Sequence, residues 1–529
     1  MRLLQGSFSM PNAHNRPHVF IVQADLPRLK TDAWLLPCDA GFHVLSSWIP
    51  QEYQAGLAQR NTDTYVLPVA LFDEWTSGRR RTVRHNDWPG RSMPWLTNVG
   101  GGSKYEVAWY LEAVSQFVEE ASTWAKAGLK RSRPLLGVPA VGTGFGGQWD
   151  KKAGVIDALF DHLVELGRLH DVDIVFTLFD PQSFAAAQLA RKRRVEVGSF
   201  GWDLDSHLLA SATALAERAK AGALVMFLGS GVSVGAGLPT WRDFLGRLAD
   251  QAGLSDSELE ALQNLDAMDA GSIVERYLGG REALEKSTRA LLDTQECSLQ
   301  HALIASIPHE AAVTLNYDTL YESASKVVVG DVAVLPQERN PRAKRWLLKL
   351  HGCVERGDLV LTRKDYLRFG ERRSALAGIV QALLITKHML FIGFGMTDPN
   401  FLRILDDVRR SLGDVSNEKD LSHPIGTVLM LNHDPLRNLL FDADLKMESM
   451  ASAHAPDSAR QLEIFLDLIA FRSASTTAFF FDSTYDALLS AREREFRDAL
   501  QNLHQEFAED RPENIWAEFE KLMTKKNND

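Results

Sequence analysis

Cysteine is scarce in this chain of 529 residues: Cys38, Cys297 and Cys353 stand far apart, and no Cys-x-x-Cys pair occurs. That excludes a disulfide framework and a four-cysteine zinc ribbon, and it fits a reducing compartment. No uninterrupted apolar run approaches the ~18 residues of a spanning helix, and the first residues carry no apolar core of signal-peptide length. A cytoplasmic protein without a membrane segment is therefore expected. Positive charge is short as well, with 58 Lys and Arg against 69 Asp and Glu and a net charge of -11, which argues against direct nucleic-acid binding over a broad surface. What the chain does have is 45% apolar residues, enough to bury a core, over a length suited to roughly two to four domains.

Its most informative stretch is an apolar run, Leu224 to Leu228, that breaks into Gly229-Ser230-Gly231-Val232-Ser233-Val234-Gly235-Ala236-Gly237 and continues as Leu238-Pro239-Thr240-Trp241-Arg242. A buried strand that ends in glycines and opens into a helix lets the backbone approach an anion, so the expected ligand is a nucleotide. No lysine follows the last glycine, which excludes a P-loop NTPase. The sixth position of a dinucleotide fingerprint falls on Val234, one residue before the next glycine, which disfavours a plain dehydrogenase. Three later apolar runs also end in groups suited to ligand contact. Ala312 to Leu315 delivers Asn316-Tyr317-Asp318, Trp346 to Leu350 delivers His351-Gly352, and Met389 to Ile392 delivers Gly393-Phe394-Gly395-Met396-Thr397-Asp398. Strand ends are where α/β sheets place such contacts.

Before this stretch, His18 to about Leu189 reads as a separate α/β unit. Strand-type runs at Val19 to Val22 and Ala33 to Leu36 precede a helix over Tyr105 to Ala125; Pro134 to Val141 then leads into Gly142-Thr143-Gly144-Phe145-Gly146-Gly147, with helical spacing from Val155 to Leu166 and a strand at Val172 to Leu178. The second glycine turn fits either a nucleotide pocket or close helix packing. Arg191 to Arg194, followed by Val195 to Gly201, reads as a solvated junction. Trp241 to Cys297 is helical by pattern and suits a cap inserted after the first strand of the second unit. From Ala474 onward, Phe479-Phe480-Phe481 and a polar helical pattern over Ala491 to Phe507 form a C-terminal helical appendage. The resulting division is 1–195, 202–473 and 474–529.

The glycine turn resembles that of the sirtuin, or SIR2-like, superfamily, whose form is GAGxSxxxGIPxFR: Gly229, Gly231, Ser233, Gly237, Pro239 and Arg242 fall in register, with Ser230, Leu238 and Trp241 substituting. Thr314, Asn316 and Asp318 match the family's TxNxD strand end, His351-Gly352 matches its HG pair, and Gly393-Phe394-Gly395 replaces its GTS. The resemblance implies a Rossmann-like α/β domain with a parallel sheet and a helical cap. It implies NAD+ held by Gly229, Ser230, Gly231, Ser233, Gly237, Pro239, Trp241, Arg242, Thr314, Asp318, Gly393, Gly395 and Asp398, with Asn316 and His351 catalytic. Sirtuin deacetylases carry a four-cysteine zinc module between the histidine and the late glycines, where this chain has only Cys353, so no metal is expected. The run Asp358 to Tyr366 instead resembles SIR2-like NADases of bacterial antiphage defence. That implies NAD+ cleavage to nicotinamide and ADP-ribose, defence by NAD depletion, a homo-oligomer, and gating by a partner protein or phage component.

The first 190 residues resemble a macro domain, an ADP-ribose-binding fold. This implies an ADP-ribose-like ligand near Gly142, Thr143, Gly144, Phe145 and Gly146; Pro37-Cys38-Asp39, standing where hydrolytic members place asparagines, points to binding rather than hydrolysis. The chemistry suits the residue types. Nicotinamide leaves as a neutral molecule from a cationic pyridinium, so the enzyme must stabilise an oxocarbenium-like ribose and position a nucleophile. Asn316 suits the holding of a ribose hydroxyl and a water, and His351 the acceptance of a proton. Two other classes remain open: a NAD or ADP-ribose sensor without turnover, and a sirtuin-type deacylase or ADP-ribosyltransferase.

Overall fold

The computed structural model describes residues 16–69, 72–100, 105–128, 131–144, 151–340, 342–412, 424–442, 444–451 and 457–506. Strands β1 (Val19–Gln23) and β2 (Ala33–Cys38) are followed by a small antiparallel sheet of β3 (His43–Leu45), β4 (Ala58–Asn61) and β5 (Thr64–Val66). Strands β6 (Thr82–Arg84), β7 (Met93–Asn98), β8 (Leu135–Pro139) and β9 (Asp173–Leu178) then complete a six-stranded sheet in the order β1-β9-β8-β2-β7-β6, parallel except at the β6–β7 edge. Helices Val107–Ala127 and Lys152–His170 cover one face through Tyr110, Phe117, Ile156 and Phe160. Every residue of β1, β8 and β9 is buried, and strands covered on both faces read as continuous apolar runs rather than alternating ones.

The second sheet holds seven strands: β10 (Leu224–Leu228), β11 (Ala311–Thr314), β12 (Val332–Leu335), β13 (Arg345–Lys349), β14 (His388–Ile392), β15 (Gly426–Asn432) and β16 (Leu445–Ala451). Their order is β12-β13-β11-β10-β14-β15-β16, and every pairing is parallel. From β10 the chain first adds strands on one side and then, at β14, turns to the other. That reversal creates a crevice beyond the carboxyl ends of β10 and β14, where open α/β sheets bind ligands. Of the helices between β10 and β11, Trp241–Gln251, Asp256–Gln263, Ala267–Leu278 and Arg281–Leu291 enclose a cluster of their own around Phe244, Leu248, Val274 and Leu284.

The segment between the two sheets is exposed at residues 192, 193 and 196–199, but solvent does not hold the sheets apart. One apolar cluster runs from Phe20, Val22 and Trp34 of the first sheet to Leu303 and Phe465 of the second unit. Arg191, expected in a solvated junction, is fully buried. It lies in helix Pro181–Glu196 and donates from Nη1 to Asp467 at 2.7 Å. His18 Nε2 and Trp202 Nε1 each stand 2.9 Å from the same carboxylate. The charge run misled because one arginine of a basic segment can turn inward when a buried carboxylate awaits it. Lys192, Arg193 and Arg194 remain on the outer side, with Arg194 tied to Asp157 and Asp161. The C-terminal segment returns to the first unit, where Phe479, Tyr485 and Leu488 join its core and the Tyr485 hydroxyl meets Ser183 Oγ at 2.8 Å. Among the described residues, no helix is long and apolar enough to cross a membrane.

Candidate active site

The glycine turn after β10 is built by backbone contact. A Cβ on Gly229 would stand 2.5 Å from the Gly393 carbonyl oxygen, and one on Gly231 would stand 2.7 Å from Gly393 Cα. Gly393 itself has φ +64° and no room for a side chain, because its Cβ would lie 2.5 Å from the Val232 nitrogen. The amide of Gly229 donates to Ile392 O at 3.0 Å and that of Gly231 to Gly393 O at 2.9 Å. These amides lock the turn to β14 instead of pointing at a ligand. The expected helix opening is a single turn, Gly231–Val234, since Gly235 and Gly237 interrupt it; the first long helix starts at Trp241, capped by Thr240.

Four carboxyl-terminal strand ends meet at a cavity of about 280 Å³. The turn contributes Gly229, Ser230 and Ser233, the residues after β11 contribute Leu315 to Asp318, those after β13 contribute His351, and those after β14 contribute Gly393 to Gly395 and Thr397 to Pro399. Asn316 donates from Nδ2 to Gly229 O at 3.1 Å and to Ser233 Oγ at 3.3 Å, while Ser233 Oγ donates to Asp318 Oδ2 at 2.9 Å. The amide side chain is thereby held at the cavity edge by the turn it faces. Asp318 also accepts from Leu320 N at 3.1 Å, and below it the buried ammonium of Lys349 pairs with Glu322 at 2.8 Å. Burial alone would push this lysine's pKa down, but Glu322, Cys353 and Asp318 together outweigh it and hold the ammonium above its ordinary value.

His351 is buried, and its Nε2 has no hydrogen-bond partner among the described residues. Asp398 Oδ2 stands 3.6 Å from it. Burial pushes the imidazole below its ordinary pKa; Asp398 opposes that shift and Arg373 adds to it. The ring is therefore neutral near pH 7 and free to accept a proton. Gly352 has φ +90°, and its Cβ would lie 2.2 Å from Asp358 O. The loop after His351 must accordingly fold back tightly, and it docks on the cap, where Tyr317 donates to Val360 O at 2.7 Å and Gly271 presses on Leu361 O.

Residues 310–444 match the family model for the SIR2-like domain. The chain carries a SIR2-like domain. Its relatives include NAD(+) hydrolase ThsA of Enterococcus faecium, 30% identical over 204 residues, which are 36% of this chain and 41% of that protein. NAD(+) hydrolase ThsA of Cytobacillus dafuensis is 26% identical over 202 residues, 36% of this chain and 38% of that protein. Defense-associated sirtuin 2 of Bacillus subtilis is 24% identical over 222 residues, 39% of this chain and 21% of that protein. The chain thus spans less than half the length of each of these relatives. Among solved structures, alphavirus P23pro-zbd overlaps 63% of this chain and 46% of its own at a TM-score of 0.24 and 9% identity, too low to argue a shared fold.

The cavity gathers most of the residues singled out in the sequence, some inside the matched residues 310–444 and some before them. Gly229, Ser230, Ser233, Pro239, Trp241, Asn316, Asp318, His351, Gly393, Gly395 and Asp398 all line it. Four do not. Gly231 is packed on Gly393; Gly237, at φ +86°, faces Arg91. Thr314 turns its hydroxyl to Leu228 O at 3.0 Å and receives Asn316 N at 3.0 Å, which fixes the strand end rather than a ligand. Arg242 lies on the exposed face of its helix, because the helical period that turns Trp241 and Phe244 inward turns residue 242 away.

The sequence missed Tyr317, Phe244, Asp266 to Met268, Leu292, Phe394 and Tyr366, all of which line the cavity. Only the two aromatics beside recognised positions, Tyr317 and Phe394, carried a local signal. In the first unit, Gly142 has φ +82° and its Cβ would meet the Tyr110 ring at 3.2 Å, so close packing accounts for it. Thr143 Oγ1 donates to Ala140 O at 2.7 Å, and a Cβ on Gly144 would meet nothing within 4 Å. Phe145 and Gly146 lie outside the described residues.

Proposed function

We propose that this chain hydrolyses NAD+ at the nicotinamide–ribose bond, releasing nicotinamide and ADP-ribose. The observation that carries the reading is the delivery of Asn316 and His351, from adjacent parallel strands, into one cavity walled by the glycine turn. In this reading Ser230, Ser233 and the turn's surface seat the nucleotide, and the apolar wall of Trp241, Phe244 and Tyr366 takes the nicotinamide end. Asn316, braced by Gly229 O and Ser233 Oγ, holds a water and a ribose hydroxyl. As the glycosidic bond breaks, the electron pair leaves with neutral nicotinamide, water adds to the anomeric carbon, and His351 takes the proton that the water loses. A positioned base of this kind contributes about 10² to 10⁴ in rate. No metal is required by any step.

The relatives' names, NAD(+) hydrolase and defense-associated sirtuin, support an activity on NAD+ in defence; in this reading it acts against phage by NAD depletion in the cytoplasm. Such an enzyme must be gated, and in this reading the first unit gates it through its contacts with the cap segment and the glycine turn. Glu296, at the end of the cap segment, accepts from Arg91 N at 2.6 Å and from Ser92 Oγ at 2.7 Å, while Arg91 Nη1 reaches Ala236 O in the glycine turn at 3.4 Å. An ADP-ribose-like ligand or a protein partner bound to the first unit, or assembly of copies, acts through this contact only if it binds the two states unequally. The test of the activity is chromatography of nicotinamide released by the full chain, with His351→Ala as control. Release by the wild type that the variant loses supports hydrolysis. NAD binding without release, with and without phage-infected lysate, favours the sensor reading.

A further inference from the structure

His351 is surrounded by three groups, Asp398, Tyr366 and Phe369, to which the turnover scheme gives no role toward the ring. Asp398 follows β14 and is buried at 9% exposure. Its Oδ1 accepts from Phe401 N at 2.9 Å, which ties the carboxylate to the first turn of helix Pro399–Leu412. Its Oδ2 accepts from the Tyr366 hydroxyl at 3.2 Å and faces His351 Nε2 at 3.6 Å. Tyr366, on the short helix Arg363–Leu367, also sets its ring at 78° to the imidazole with centroids 5.5 Å apart, and Phe369 flanks the imidazole at 5.9 Å. A buried ring nitrogen without a hydrogen bond, aimed at a carboxylate slightly beyond bonding distance, lacks only a small approach to form one.

We propose that Asp398 and Tyr366 are positioning residues for His351: the carboxylate accepts the Nε2 proton and fixes the tautomer and orientation of the ring, while the tyrosine hydroxyl shares that carboxylate and limits its hold. This assigns Asp398 to the histidine rather than to the nucleotide. Its meaning for catalysis rests on the hydrolase reading; the geometry does not. A carboxylate on one ring nitrogen leaves the other free to take the proton from water and stabilises the imidazolium that results. Tyr366 suits the donor role because burial, with Asp398 beside it, keeps its hydroxyl protonated far above the usual range. The other charged groups around the ring are few. Arg373 donates to Leu350 O at 2.7 Å and pairs with Asp358. On the cap side, Asp365 is paired with Arg281, Asp266 lines the cavity, and Tyr317 stays neutral and bonded to Val360.

The two partners pull in opposite directions, and that makes them separable. In Asp398→Asn the opposing charge is gone, so His351 titrates at lower pH. In Tyr366→Phe the carboxylate is released wholly to the histidine, so His351 titrates at higher pH. Asparagine retains the carbonyl that caps Phe401 N, which favours a folded variant. The measurement is the titration of the His351 Cε1–H resonance in full-length protein carrying 13C-labelled histidine, assigned by its loss in His351→Gln, for the wild type and both variants. Opposite displacements of the two midpoints support the proposal; unmoved midpoints, or displacement in the same direction, overturn it. Because this readout needs no turnover, it decides the proposal even if the chain releases no nicotinamide. If the chain does turn over, Asp398→Asn lowers kcat by about 10² or more with little change in KM, and the acid limb of kcat against pH moves with the titration midpoint in each variant. A merely structural defect would depress the profile without moving its limb.

Discussion

At the residue scale, the proposed chemistry rests on a neutral histidine and a braced amide. His351→Ala removes the proton acceptor and is expected to cost at least about 10² in nicotinamide release while leaving NAD affinity within a few fold; a rate within threefold of wild type would contradict the assignment. Burial holds His351 below its ordinary pKa. A general base of this kind is active when unprotonated, so turnover should be flat at neutral pH and fall only as pH drops through a value below about 6.5. A rate that instead fell on going from pH 6 to 8 would exclude His351 as the base. Asn316 and His351 were legible in the sequence because each follows an apolar run directly and the strand end fixes where it points. Tyr366 was not, since its place depends on how residues 352–362 fold onto the cap, a three-dimensional fact that no local pattern encodes.

At the scale of elements, the glycine turn proved to be a backbone-to-backbone joint between β10 and β14 more than a cradle of free amides. Gly393→Ala would place a Cβ 2.5 Å from the Val232 nitrogen at φ +64°. It is expected to lower stability by about 1–3 kcal/mol and to abolish turnover, as read by urea melts and nicotinamide release; an unaltered melt would contradict the joint. The strands themselves were readable as apolar runs, but the helix expected after the glycines shrank to one turn because two further glycines follow it. Buried histidines add a pH dependence. His301 and His388 are pushed down to about 4 by burial, so between about pH 6.5 and 4 the unfolded chain binds protons that the folded chain does not. Stability should therefore fall on acidification through this window, by roughly 2 kcal/mol for each histidine at pH 5. Equal urea midpoints at pH 7.5 and 5 would be inconsistent with neutral, buried imidazoles.

At the scale of the whole molecule, two α/β sheets are bridged by one apolar cluster, and a C-terminal segment returns to the first of them. A break in periodicity near residue 200 set the expected division, but composition could not reveal that Arg191 turns inward or that Asp467 gathers His18, Arg191 and Trp202. Asp467→Ala leaves a buried guanidinium unpaired and should cost about 3–5 kcal/mol, seen as a lower melting temperature; a melt within a degree of wild type would mean that water replaces the carboxylate. The link from Arg91 to the glycine turn predicts that Arg91→Ala raises basal nicotinamide release several-fold if the first unit restrains the site, and an unchanged basal rate would remove that contact from the gating scheme. The predictions on turnover depend on one claim, that the cavity at the four strand ends breaks NAD+. Its most direct test is time-resolved chromatography of NAD+ incubated with the purified full chain, alone and with phage-infected lysate. Nicotinamide and ADP-ribose appearing in equal amounts as NAD+ disappears, and absent with His351→Ala, is the predicted result; undiminished NAD+ under both conditions, from protein that binds it, would contradict the claim.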